Sequence, residues 1–195
     1  MLDGAVQPIL HVSQLATALG LPAPAGATGP AAAWDLVGIL DAWCRHLPSA
    51  DWALLVAPTP SRGRSLRNLT VNTFHPIELL PGAWRTGAFD WDPEGDDERE
   101  RALGDTDAVR SYAGRIAAGW NDFVLQVDNG LEERDPRVSS PRGEVPFSGV
   151  LASQRWHAAY HYRQVVEFLR LQDRALSDVL AVERLAAVGL PAEIY

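Results

Sequence analysis

Cysteine is nearly missing from the sequence: Cys44 is the single thiol in 195 residues. No internal disulfide is possible, and a reducing, cytoplasmic setting is expected. Positive charge is also scarce. Seventeen basic residues stand against 25 acidic ones, a formal net charge of −8. That balance argues against a nucleic-acid backbone or an anionic membrane as the main partner. Long apolar runs are lacking too. Asp3 stands where a signal peptide would be basic, and the first apolar stretch is broken by His11, Ser13 and Gln14. Neither a signal peptide nor a membrane span is expected. No heptad run and no internal repeat is present.

What is present suits one globular domain. Hydrophobic residues make up 47% and charged residues 22%, and seven Trp offer large apolar surfaces with one donor each. Residues 1–30 read as an appendage. Ser13 can cap a short helix from Gln14 to Leu19, His11 reads as a surface residue, and an Ala/Gly/Pro-rich linker follows. Residues 31–47 read as a helix whose core stripe is Leu36, Leu40, Trp43 and Leu47, with Cys44 and His46 in structural roles beside it. A connector follows, in which Trp52 to Val56 suits an extended patch. A second helix is expected over 65–80, capped by Ser65, kinked or broken at Pro76 and stopped by Pro81-Gly82. Residues 83–106 read as a long solvated acidic loop lying over a pocket. Its Asp90 to Gly95 stretch is no calcium loop, because the twelfth position is Arg101 rather than Glu. Helical spacing returns over 107–128, capped by Asp105 or Thr106. A polar connector spans 129–147. Ser148 reads as the cap of a fourth long helix ending near Leu171, and Asp173 to Val188 as a further short helix. The fold class expected is all-α, an antiparallel four-helix bundle with short extra helices at both ends, covering residues 31–195.

The fourth long helix carries the chemistry. Within Trp156 to Leu169, His157 and His161 are four apart and share a face, with Gln164 and Phe168 continuing the stripe. Two neutral imidazoles so placed make half of a divalent-metal site. The competing structural reading is a polar stripe on a half-buried face. Ala158 after His157 excludes the HExxH protease motif. Bundles build ligand sites from facing helices, so a third ligand is expected from the second helix, where Asn72 and His75 share a face.

These motifs resemble the DinB-like superfamily with its YfiT-type metal hydrolases. Ser65-Leu66-Arg67-Asn68-Leu69 is similar to that family's Leu-rich helix start, and His157-x-x-x-His161-x-x-Gln164 to its late motif. The resemblance spans roughly residues 31–171. It implies a four-helix bundle holding a divalent metal (zinc, or nickel or manganese) through three histidines. It also implies a cytoplasmic enzyme, a hydrolase or a transferase using a low-molecular-weight thiol, acting on a small-molecule substrate. The chain departs from the pattern at two positions. The family's first histidine falls at Asn72, with His75 one turn later, and Arg163 replaces the Gly that often precedes the Gln. The implied ligands are His75, His157 and His161, with Asn72 as an alternative to His75; Tyr160, Gln164 or Asn72 would orient a ligand. Trp84, Trp91 and Trp156 are candidates for the pocket wall. A homodimer is expected from common practice among oligomers. The rival function is a metal-free bundle that binds a small molecule or a protein without turnover; a further one is acid–base chemistry at His157 and His161.

Overall fold

The computed structural model describes residues 30–127, 130–140, 143–176, 179–180 and 188–191. The expected 14–19 helix, His11 and the linker lie outside them. So does much of the expected 173–188 helix, and its described residues 173–176 and 179–180 are not helical. The chain is mostly helical. Four long helices, α1 (Pro30–His46), α3 (Leu66–Thr86), α5 (Thr106–Val127) and α7 (Phe147–Leu171), alternate with short elements: α2 (Trp52–Val56), α4 (Asp96–Ala102), α6 (Gly130–Glu133) and a hairpin of β1 (Arg137–Ser140) with β2 (Gly143–Pro146). α1 and α3 each pack against both α5 and α7, a bundle-like ring around one core. No helix among the described residues is long and apolar enough to cross a membrane.

The periodic stripes build that core. Leu36, Leu40, Trp43 and Leu47 are all buried, although Leu47 falls in a 3-10 turn opened by Pro48. Trp43 packs edge-on to Phe74 of α3 and donates to Thr70 Oγ1 at 3.3 Å. Trp120 of α5 donates to the Ala33 carbonyl at 3.2 Å, tying α5 to α1. These two indole N–H groups thus meet acceptors inside the ring.

α3 departs most from expectation. It runs unbroken through Pro76 and Pro81 to Thr86. Each proline denies a donor to the carbonyl four residues back, Asn72 and Ile77, at a cost of about 3 kcal/mol in a helix interior. Burial of Phe74, Ile77, Leu80, Ala83 and Trp84 offsets that cost, so packing overrides the local signal. Ser65 does cap α3, its Oγ accepting from Asn68 N–H at 2.9 Å. Ser65→Ala should cost about 1 kcal/mol in urea unfolding; an unchanged midpoint would show that the cap contributes nothing.

Several other expectations are corrected. Trp52–Val56 is a short helix capped by Asp51, whose carboxylate accepts from Leu54 N–H, and not an extended patch. The acidic stretch is not one solvated loop, since it contains the end of α3, a 3-10 turn at Pro93–Gly95 and α4. Asp105 caps α5, accepting from Ala108 N–H at 2.7 Å. The 129–147 connector holds α6 and the hairpin, so the fold is not purely α; the described short helices lie between the long ones. Ser148 is no cap. α7 starts at Phe147, with Pro146 in the cap position, and Ser148 donates through N–H and Oγ to Asp135.

The segment after α3 is tied to the hairpin. Gly87 ends α3 in the left-handed conformation (φ 74°), where a Cβ would stand 3.2 Å from the Arg137 carbonyl oxygen. Ser139 N–H donates to Gly87 O, and Phe89 N–H to Ser139 O, both at 2.8 Å.

Candidate functional site

α3, α4 and α7 meet at one polar cluster. On α3, Asn68, Asn72 and His75 fall at i, i+4 and i+7, a single stripe. On α4, Asp96 and Glu100 are also four apart. The two stripes pair: Asn68 donates to Glu100 Oε2 (2.6 Å), Asn72 Nδ2 to Asp96 Oδ2 (3.3 Å) and His75 Nδ1 to Asp96 Oδ1 (2.6 Å). Ser65 Oγ and Arg67 Nε also donate to Glu100 Oε1, pinning α4 to the start of α3. From α7, His157 Nε2 lies 3.1 Å from Asn72 Oδ1, and His161 Nδ1 lies 2.7 Å from Gln164 Oε1. The His157 and His161 rings stand side by side with centroids 4.6 Å apart.

Hydrogen-bond chemistry fixes the tautomers. A carboxylate only accepts, so His75 carries a hydrogen on Nδ1, and Nε2 is the ring nitrogen left out of that bond. Gln164 Oε1 does the same for His161. Asn72 has its amide nitrogen committed to Asp96, so its oxygen accepts from His157 Nε2–H. His75 and His161 are both buried. Burial pushes the His161 imidazole down to about 4, opposed by the bond to Gln164 and reinforced by the Arg64 and Arg62 cations. His161 is therefore a neutral imidazole near pH 7, the form that ligates a metal or accepts a proton.

An imidazole whose Nδ1–H is held by an acceptor while Nε2 stays basic is the arrangement found behind metal ligands. His75 and His161 fit a divalent metal on that ground. His157 is turned to Asn72, and among the described residues no three His, Cys, Asp or Glu side chains are grouped to hold an ion. The donor chemistry fits, but the described rings are not gathered into one shell.

The remaining candidates divide. Trp91 lies against His157, centroids 5.7 Å apart, and Trp156 stacks on Tyr160, itself 5.7 Å from the His161 ring. Trp84 packs elsewhere, edge-on to Phe147. Cys44 is half-buried against the core; burial, with Asp41 beside it, raises its thiol to about 11, so it stays protonated and is a poor nucleophile. His46 is buried with Tyr162 at 3.0 Å, in keeping with a structural role. Sequence reasoning missed Asp96, Glu100 and Arg64. The signal was there in part: two carboxylates four apart, able to match a stripe of two Asn and one His.

Compared with protein-family models, curated proteins and solved structures, the chain matches none of them.

Proposed function

We propose that the protein is a metal-dependent enzyme acting on a small molecule, a thiol-dependent transferase or a hydrolase, built as an antiparallel four-helix bundle of the DinB-like type. The observation that supports this reading is the pair of buried imidazoles, His75 and His161, each with Nδ1–H anchored and Nε2 outside that bond. His75, His157 and His161 would hold the metal, which would supply Lewis acidity and lower the pKa of a thiol or water brought to it. Asp96 orients His75, and Gln164 orients His161. Asn72 holds His157 through its ring Nε2. Trp91 and Tyr160 flank the rings and limit access by water.

Elemental analysis of untagged protein tests the proposal. About one metal per chain is expected in wild type and none in His161→Ala. His75→Ala discriminates the third ligand, since metal kept in that variant moves the role to Asn72. No metal in wild type after supplementation with zinc, nickel and manganese would sink the reading.

A second reading draws on the His75–Asp96 pair and on the ungrouped rings. A buried imidazole held by a carboxylate at 2.6 Å is also the setting of a general base. That metal-free chemistry predicts turnover that survives chelation. A binding module without turnover predicts neither metal nor activity.

A further inference from the structure

We propose that the site takes a small molecule carrying an oxyanion, a carboxylate or phosphate group, and that Arg64 receives that group, with Arg62 at the rim. The inference rests on the reading above only in taking the histidine cluster as the reaction site; it needs no metal.

The carrying observation is an underused guanidinium. Arg64 is half-buried, and its one side-chain hydrogen bond among the described residues is a long one, 3.5 Å, from NH1 to Asn72 Oδ1. A guanidinium has five N–H donors in a planar fork, and a partly desolvated one without a carboxylate is costly. The neighbouring acids are committed: Asp96 to His75 and Asn72, Glu100 to Ser65, Arg67 and Asn68. Other buried or half-buried arginines show the contrast, because Arg67 pairs with Glu100 and Arg155 with Asp35. Burial and the Arg62 cation push Arg64 below its ordinary value, with Asp96 opposing, as expected of a cation short of counter-charge.

The loop presenting both arginines is tightly fixed. Thr59 N–H donates to Arg64 O (2.8 Å) and Arg64 N–H to Ser61 O (3.0 Å), and Pro58 bridges to Ser65, the α3 cap. Arg62 and Gly63 both take positive φ, 54° and 71°, to close the turn. Thr59 and Ser61 are buried beneath it. Asn72 Oδ1, which Arg64 NH1 reaches, also accepts from His157 Nε2 at 3.1 Å. An anion seated in the Arg64 fork would therefore lie beside Asn72 and near the imidazoles, placing the rest of the ligand against them. Pre-organisation of this kind favours bidentate recognition of an oxyanion.

The test uses the full chain stripped of metal at low ionic strength, with succinate and inorganic phosphate as separate probes in isothermal titration. Wild type should bind at least one probe, and Arg64→Ala should bind it at least about tenfold more weakly. Arg64→Lys, which keeps the charge and loses the fork, should fall between. Arg85→Ala, at the far end of α3, should bind as wild type does. Preference for succinate identifies a carboxylate, and preference for phosphate a phosphoryl group; both support the proposal. Equal binding by Arg64→Ala and wild type overturns it, as does wild type binding neither probe at roughly 10 mM. Metal content measured on the same preparations separates the two ideas. Anion binding without metal uptake sinks the metalloenzyme reading alone, and metal uptake without anion binding sinks this one alone.

Discussion

Asp96→Ala should be among the most damaging single changes at the cluster, costing about 3 kcal/mol of unfolding free energy. Asp96 is 3% exposed and accepts from two donors on α3, His75 Nδ1–H and the Asn72 amide. Removing it strands the buried His75 donor and the half-buried Asn72 amide, and a stranded buried donor costs about 1–3 kcal/mol. Asp96→Asn is the discriminating partner. Its oxygen can still accept from His75, but its amide then faces the amide of Asn72, so a smaller loss is expected. Chemical denaturation of the three proteins measures this. Equal stability for Asp96→Ala and wild type would show that the pairing contributes nothing. The same substitution frees the His75 ring, so metal affinity should fall about 10–100-fold if His75 is a ligand.

Acid should weaken the metal-free protein through His161. An unfolded histidine titrates near 6.5, whereas burial holds His161 near 4 in the fold. Between those values the unfolded chain binds the extra proton, so stability rises with pH. The contribution is complete above 6.5, is lost as pH falls toward 4, and does not change further below that. Between pH 7 and pH 5 the loss from this one group is about 2 kcal/mol. His161→Gln cannot titrate and should lack that portion of the decline, while the carboxylates affect both proteins alike. Urea unfolding at the two pH values decides the matter, and parallel declines in both proteins would contradict a buried neutral imidazole.

What the sequence makes legible follows the range of the interactions. α1, α5 and α7 are readable because each keeps one apolar period without interruption. The His157–His161–Gln164 row is readable because it lies on one helix, where spacing alone places side chains together. Asn72 and His75 share a face for the same reason. α3 past Pro76 is not readable, because its continuity depends on what Ile77, Leu80 and Trp84 pack against. α4 is hidden by its composition: Asp96-Asp97-Glu98-Arg99-Glu100-Arg101-Ala102 has almost no apolar stripe, and its position depends on polar partners 21 to 35 residues earlier. Arg64 is invisible for a related reason, since a cation lacking a counter-charge is a property of the folded neighbourhood. The hairpin is short and ends in Pro146, so its alternation is too brief to register.

The joint between Gly87, Phe89 and Ser139 has a consequence for how Trp91 reaches His157. The six residues from Asp90 to Gly95 leave an anchored backbone at Phe89 and arrive at Asp96, which is clamped to α3. A span fixed at both ends over so short a contour has few conformers to sample, so most of its closure entropy is settled by the two anchors. Trp91 therefore sits over the imidazole as a strap rather than as a swinging lid. The backbone pairing to Ser139 and the carboxylate of Asp96 thereby hold both ends of the segment that carries Trp91 against the imidazole.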